Sequence, residues 1–195
     1  MKVLLIYLML SLNGLMLAQG NLHPTEISIG YFGNNGIRPG LKIGTKLNLG
    51  AWQRSISEKT RINQVFLQPE IGFYTWPGVH TTFITNINFG FKKSKGMYQL
   101  YSAYSLGVGL INQSQIINIK VDLSDGSSTN VRDNWRWVTS TLNYEFGKIY
   151  NNNIGWYGKL SGGYRFASKQ PAAPIFFLEF GLTYRFSSTK LDKIK

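Results

Sequence analysis

The first candidate for a catalytic group in this chain of 195 residues is His80. In the sequence it is followed by Thr81 and Thr82. A hydroxyl nucleophile is activated when a neighbouring imidazole takes up its proton. No serine stands beside His80, and the other histidine, His23, precedes the first predicted strand. We therefore interpret His80 as an interfacial side chain near the outer rim of the fold, and we predict no catalytic residue.

Glutamates offer a second kind of chemistry, because paired carboxylates can act as general acid and base. Four of the five glutamates fall on the polar face of alternating segments, and basic side chains fall on the same face. An unpaired charge inside a narrow fold would be costly, so we interpret these groups as paired with one another. The predicted charge network comprises Glu26, Lys42, Lys46, Glu70, Glu145, Lys159, Arg165, Glu179 and Arg185.

The sequence provides little material for a metal or cofactor site. It contains 2 His and no Cys, which excludes thiolate metal sites, disulfides and a lipidated N-terminal cysteine. No run of glycines matches a phosphate-binding loop that opens a helix. Aromatic residues make up 14% and charged residues only 15%, unlike the composition of disordered chains. We predict a folded protein without a cofactor.

The first residues have the layout of a secretory signal peptide. A positive charge at Lys2 precedes an apolar run over residues 3–10, and small residues follow at Ala18 and Gly20. We predict a signal peptide over residues 1–20, cleaved after Ala18 or after Gly20. The apolar run is shorter than the roughly 20 residues that a membrane-spanning helix needs. The mature protein is therefore predicted to be exported.

Beyond the signal peptide, apolar and polar residues alternate with a period of two, which is typical of β-strands exposed to two different environments. Helical periodicity is hard to find. The alternation predicts an all-β fold of eight strands, over residues 25–32, 39–50, 63–75, 79–92, 97–111, 135–148, 154–166 and 174–186.

The connections between these strands indicate a single domain. The longest connection, 112–134, still alternates in both arms around Asp125-Gly126. We predict that it forms a hairpin extending two strands beyond the rim of a barrel. The predicted domains are the barrel, residues 21–187, and a basic periplasmic tail, residues 188–195, with both termini on the periplasmic side.

Eight strands with one apolar and one polar face fit two kinds of barrel, which differ in the face that points inward. A soluble lipocalin-like barrel turns its apolar face inward, whereas an outer-membrane barrel turns that face to lipid and fills its lumen with polar side chains. Here the polar face is rich in Gly, Ser, Asn and Thr, which suits an interior just wide enough for side chains. We therefore predict that Phe83, Leu106 and Phe180 point outward and that Glu70 and Lys159 point into the lumen.

Aromatic residues concentrate near the predicted strand ends, as the aromatic girdles at lipid–water interfaces do. The predicted girdle residues are Tyr31, Phe73, Trp76, Phe91, Tyr98, Trp135, Trp156, Phe166 and Tyr184.

The last strand carries a more specific pattern, with Glu179, then Gly181 two residues later, then Tyr184 and Phe186 alternating to the strand end. This pattern resembles the C-terminal assembly signal of bacterial outer-membrane proteins, although nine residues follow it here. Over nearly its whole mature length the chain resembles the small outer-membrane barrels of the OmpA/OmpX type. The resemblance implies an eight-stranded antiparallel up-and-down transmembrane β-barrel that is inserted by the barrel assembly machinery.

The formal net charge of +12 invites a nucleic-acid interpretation, but the basic residues do not cluster on a helix and several belong to the predicted lumen. Anionic lipid head groups or an acidic periplasmic partner explain the remainder better. The basic residues assigned to the periplasmic side are Arg54, Lys59, Arg61, Lys92, Lys93, Lys95, Lys148, Lys190, Lys193 and Lys195.

The expected function is that of a non-enzymatic barrel with a side-chain-plugged lumen in the outer membrane of a Gram-negative bacterium. It would serve envelope integrity, surface contact or a membrane complex, with outer-membrane lipids, lipopolysaccharide and an envelope protein as partners and no nucleic acid. Two alternatives stay open. One is a lipid-modifying barrel enzyme, such as a lipid A deacylase or palmitoyl transferase; the other is a soluble exported lipocalin-like binder.

Overall fold

The structure is a computed structural model of the chain. It describes residues 24–34, 38–56, 59–76, 79–95, 100–121, 128–150, 153–167 and 170–186. The predicted signal peptide, the basic tail and the tip of the 112–134 hairpin at Asp125-Gly126 lie outside the described residues.

Every regular element within the described residues is a β-strand. The strands are β1 Pro24–Asn34, β2 Arg38–Ile56, β3 Lys59–Trp76, β4 His80–Lys95, β5 Leu100–Val121, β6 Ser128–Ile149, β7 Ile154–Ala167 and β8 Gln170–Arg185. None of the described segments forms a helix long and apolar enough to cross a membrane.

The eight strands pair antiparallel with their neighbours in sequence, and β1 pairs with β8 to close the ring. Closure begins at Glu26, which faces Arg185, and runs to Asn34, which faces Phe177. The predicted all-β, antiparallel, up-and-down barrel of eight strands is confirmed, and with it the resemblance to small outer-membrane barrels at the level of the fold. Closure leaves no open sheet edge along the ring, so the backbone groups of each strand find partners on both sides.

Two hairpins extend beyond the ring, one at each end. The end where β1 starts and β8 finishes is called the terminal end, and the other is called the distal end. At the distal end β5 and β6 stay paired to Val121 and Ser128, which confirms the predicted extended hairpin. At the terminal end β2 and β3 stay paired to Ile56 and Lys59, an extension that the alternation did not reveal.

The side chains alternate between an apolar outer wall and a polar lumen, as predicted. Leu106 and Ile71 are 65% and 66% exposed, whereas Glu70 and Lys159 are 3% and 2% exposed. Because the ring has only eight strands, its interior is narrow enough for side chains to fill. This protein therefore has the opposite polarity to a soluble barrel, because its apolar side chains point outward and its polar side chains point into the lumen.

Leu47, Trp135 and Trp76 depart from the predicted pattern. Leu47, expected on the outer wall, is buried between Pro24 and Leu67, its partners on the two neighbouring strands. It lies beside irregularities of register in both strand pairs, and the side chain of Asn48 accepts a 3.1 Å hydrogen bond from Gly50 N there. Such bulges interrupt the strict alternation of a strand.

The second departure is Trp135, which was predicted for the outer girdle. Its ring stacks on that of Trp137, with centroids 6.1 Å apart, and Trp137 is buried in the lumen. Residues two apart in a strand share a face, so Trp135 follows Trp137 inward. For the same reason Trp76, also predicted for the girdle, shares the face of buried Tyr74, and its ring packs edge-on against buried His80. Tyr98, another predicted girdle residue, lies outside the described residues.

Candidate functional site: the closed lumen

The centre of the lumen holds a network of four lysines and four glutamates. In one chain of ion pairs, Lys92 binds Glu26, and Glu26 lies 3.5 Å from Lys46. Lys46 in turn binds Glu145 on the far side of the barrel. The side chains of all four residues are nearly inaccessible to solvent.

The second chain of ion pairs has the same composition. Lys159 binds Glu70, whose other oxygen lies 3.3 Å from the Lys42 ammonium, and Lys42 binds Glu179. The Tyr157 hydroxyl donates a 2.5 Å hydrogen bond to Glu179 and ends this chain.

Each chain contains two positive and two negative groups, so the network is electrically balanced. Its links also span the barrel, because Lys46 on β2 reaches Glu145 on β6, and Lys159 on β7 reaches Glu70 on β3. In a ring of eight strands these are opposite walls. The network therefore ties opposite sides of the barrel together through buried, charge-assisted contacts.

Aromatic rings surround the ammonium groups near the terminal end. The Lys92 ammonium lies 3.9 Å from the centre of the Tyr101 ring, and Lys46 lies 5.2 Å from the same centre. Tyr101, Ile149 and Tyr157 form a small buried cluster in this part of the lumen. The negative face of an aromatic ring attracts a cation, so these rings complement the carboxylates around each lysine.

The distal part of the lumen is filled by a larger apolar cluster. Phe32 packs edge-on against Tyr74 and at a tilt against Phe177, with ring centroids 5.7 and 5.8 Å apart. The distal cluster consists of Phe32, Tyr74, Ile84, Ile111, Trp137, Ile175 and Phe177, with Trp135 and Ala167 packed against it. Side chains thus occupy the lumen at both levels.

Amides fill the space between the distal cluster and the ion pairs. Asn143 Nδ2 donates to Asn88 Oδ1 at 3.0 Å and to Ser105 Oγ at 3.2 Å. Asn86 donates to the same Asn88 oxygen at 2.7 Å.

A cavity of about 20 Å³ remains beside these amides, lined in part by Glu70, Asn86 and Thr141. Among the described residues, Asn86 Oδ1 and Thr141 Oγ1 have no hydrogen-bond partner, and Glu70 Oε2 lies 3.3 Å from the Lys42 ammonium. A space of this size with several polar partners is sufficient for one water molecule.

The predicted network residues do not all come together in the same way. Glu26, Lys42, Lys46, Glu70, Glu145, Lys159 and Glu179 form the two chains. Arg185 lies at the terminal edge, a third exposed, with Nε 3.6 Å from Glu26. Arg165 lies over the Trp137 ring at 4.8 Å, and no described carboxylate is within ion-pair distance of it.

Lys92 takes a central place in the network, which corrects its assignment to the basic residues that meet anionic head groups. It is 1% exposed, because its side chain points inward with those of Asn86 and Asn88 on the same strand. Tyr157, a network member that sequence reasoning missed, shares the inward face of β7 with Lys159. Counting residues in twos from a known lumen residue would have found both.

His80 also differs from its interpretation as an interfacial residue. Its ring is buried and packs edge-on against Tyr74 and Trp76, with centroids 5.9 and 6.0 Å away. Thr82, two residues further along, is fully buried in the same strand. The histidine therefore belongs to the distal lumen.

The residues of the predicted assembly signal close the ring. Glu179 points inward to Lys42, whereas Tyr184 and Phe186 are exposed on the outer wall with their rings packed edge-on. Gly181 faces Gly30 on β1, and a Cβ atom at Gly181 would lie 2.2 Å from the Ile29 carbonyl oxygen. The close approach of β1 and β8 therefore requires glycine at this position.

The solved structures that are similar to this chain include two β domains of bacterial proteins. The N-terminal β-barrel domain of Pseudomonas aeruginosa OprF is 12% identical over 84% of this chain and 98% of that domain, with a TM-score of 0.46. The β domain of the Bordetella autotransporter BrkA is 13% identical over 87% of this chain and 74% of that one, with a TM-score of 0.42. No family model and no curated protein sequence matches the chain.

Proposed function

We propose that this protein is a non-enzymatic integral barrel of the Gram-negative outer membrane whose lumen is closed to solutes. The observation that carries the proposal is the reversed polarity of the barrel: apolar side chains cover its outer wall, and eight paired charges fill its centre. Hydrocarbon admits a strand-rich chain only as a closed barrel, since every backbone polar group must then be paired.

The dimensions of the outer wall support a membrane location. On β6 the outward residues from Val138 to Phe146 are exposed and predominantly apolar, and Lys148 follows them. Eight residue steps at about 3.3 Å span about 26 Å of strand. At a strand tilt of about 35–45° this stretch rises about 20 Å along the membrane normal. The charged residues that flank it, Arg136 and Lys148, are twelve steps apart, which corresponds to a rise of about 30 Å. These two values bracket the apolar band of about 25 Å that such barrels present to lipid.

The filled lumen supports a structural role rather than bulk transport. An eight-stranded interior is just wide enough for side chains, whereas porins with 16–18 strands enclose an aqueous channel. Here the distal cluster and the ion network occupy the lumen in succession. The protein would act as a rigid element of the envelope, presenting the β5–β6 hairpin outside the cell and contacting lipids or an envelope partner at its rims.

Insertion would depend on the barrel assembly machinery. Glu179, Gly181 and Tyr184 lie on β8, the last strand of the ring, and Phe186 follows directly after it, with the two aromatic side chains on the outer wall. Until β8 pairs with β1 and closes the ring, these residues are accessible to another protein. This arrangement favours their use as the assembly signal.

Electrophoresis and solute flux test the proposal. The purified protein in detergent is expected to migrate anomalously on SDS gels until boiled, as intact outer-membrane barrels do. Liposomes containing it should not swell in isotonic sugar, whereas liposomes containing a porin should. Unchanged migration would overturn the membrane assignment, and swelling would overturn the closed lumen.

A pair of substitutions tests the polarity directly. Ile71→Arg places a charge in the middle of the outer wall, where it should cost about 2–4 kcal/mol and reduce the fraction of folded, inserted barrel. Thr81→Arg, also outward but near the distal rim and opposite Thr75 and Ser114, should have an effect of about 1 kcal/mol or less. Equal effects of the two changes would contradict a lipid-facing wall.

Lipid analysis tests the non-enzymatic part of the proposal. Mass spectrometry of lipid A from cells with and without the protein is expected to show the same acyl pattern. A lost or added acyl chain would establish the lipid-modifying alternative.

A further inference from the structure

The outer wall has an open groove over β5, β6 and β7, between the apolar side chains of these strands. It has a volume of about 700 Å³, and its walls include Leu106, Leu142, Leu160 and Tyr164. Paired aromatic rings bound it at both ends, Tyr104 with Tyr144 and Tyr164 with Phe166. The groove is thus long, apolar and open to the surroundings of the barrel.

A single uncovered glycine forms the floor of this groove. Gly162 faces Leu142 on β6, and a Cβ atom built on it would meet nothing within 4 Å. Gly158 lies four residues further towards the terminal end, and it is different, because the Phe146 ring lies 2.8 Å from the corresponding Cβ position. An aromatic ring thus covers one glycine of β7, whereas the other stays open.

A positive charge stands above the distal end of the groove. Arg136 is exposed and shares the outward face of β6 with Val138 and Ser140, and Ser140 lines the groove. Four residue steps separate Arg136 from Ser140, about 13 Å along the strand. Among the side chains that the structure describes, it is the one cation on the outer face at the distal rim.

We propose that this groove binds one acyl chain of a lipid A-type glycolipid whose phosphate contacts Arg136. Charge complementarity selects an anionic head group, since a guanidinium binds phosphate oxygens in paired, charge-assisted hydrogen bonds. The position of Arg136 at the distal rim selects the outer leaflet, where lipid A lies. This assignment rests on the proposed function, because it requires the distal end to face out of the cell.

Native mass spectrometry of the full barrel in detergent tests the site, with bis-phosphorylated lipid A and its dephosphorylated form as probes. The wild type should retain one bis-phosphorylated lipid. Gly162→Leu should weaken retention roughly tenfold, because the new side chain takes the space of the acyl chain. The matched control is Gly50→Leu, at a second glycine with open space around it, and it should leave retention unchanged.

Arg136→Gln tests the head group without changing the groove. It should weaken retention of the bis-phosphorylated lipid roughly tenfold and leave the dephosphorylated lipid unaffected. Arg54→Gln, an exposed arginine on the terminal-end extension of β2, is the control for general loss of positive charge.

The outcomes separate the site from the proposed function. Gel mobility before and after boiling shows for each variant whether the barrel is intact. If intact variants at Gly162 and Arg136 retain lipid A as the wild type does, the site is wrong and the membrane barrel stands. Equal retention of phosphatidylglycerol would overturn the choice of lipid A, and absence of an intact barrel in lipid would overturn both proposals.

Discussion

The two levels of the lumen fill similar space by different physical means. The distal cluster uses aromatic and branched side chains that contact one another through dispersion forces. The central network uses eight opposite charges whose desolvation is offset only when every partner is present. The difference predicts that the distal level tolerates small changes, whereas the central level does not tolerate the loss of one charge.

The largest expected effect comes from removing one charge at the central level. Glu70→Gln leaves Lys159 without the carboxylate that it binds in the described structure. Such an uncompensated buried charge should lower the free energy of unfolding by about 3–5 kcal/mol. Urea unfolding in lipid vesicles, followed by tryptophan fluorescence, measures the change.

The double variant Glu70→Gln with Lys159→Met is the control for this prediction. It removes both partners of one ion pair, so it should be more stable than the single variant. Equal losses in the two variants would show that the network stabilises the barrel through volume rather than through charge.

The second largest effect is expected where Tyr157, at the end of one chain of ion pairs, packs against β1. A Cβ atom at Gly30 would lie 2.4 Å from the Tyr157 hydroxyl oxygen, which binds Glu179. Gly30→Ala should therefore displace Tyr157 and cost about 1–3 kcal/mol in unfolding free energy. Gly50→Ala, with nothing within 4 Å, is the matched control.

Adding Tyr157→Phe to Gly30→Ala sharpens the test. Removal of the hydroxyl relieves the collision, so the double variant should lose less than the sum of the single losses. Strictly additive losses would mean that the two residues do not meet as described.

The alternation of the sequence predicted the strands and the two faces of each, because these depend on a period of two within each segment. The up-and-down order of the strands was implied by the resemblance to small outer-membrane barrels. The same period of two also gives the correct location of two residues that were assigned to an interface. Trp135 is in step with Thr139 and Glu145, and Lys92 is in step with Asn88, so both belong to the lumen. Their positions near strand ends suggested an interface instead.

The pairing of charges across the lumen could not be predicted from the sequence. Contacts between β2 and β6, or between β3 and β7, depend on how far each strand is shifted when the ring closes. Arg165 shows the consequence, since it is in step with Lys159 yet lies at the level of Trp137, away from the described carboxylates. Alternation determines the face of a residue, and the register determines its depth.

At the distal level the expected effect is smaller. Ile111→Val removes one methyl group from a residue that is 2% exposed, and it should cost about 0.5–1.5 kcal/mol of unfolding free energy. The matched change on the outer wall is Ile43→Val, where lipid can fill the space. It should cost less, and an equal cost would indicate that the outer wall is packed against something more rigid than lipid.

The smallest expected effect is the influence of salt concentration on the stability lost through substitutions at the two levels of the lumen. Exposed charges are screened within about 10 Å at 0.1 M salt, whereas buried pairs are screened much less. Since the network residues are buried, raising the salt concentration from about 0.1 to 1 M should change the loss caused by Glu70→Gln by little. The loss caused by Ile111→Val serves as the uncharged reference under the same conditions. If salt removed most of the Glu70→Gln effect but none of the Ile111→Val effect, water and ions would have access to the central level, and the lumen would be open.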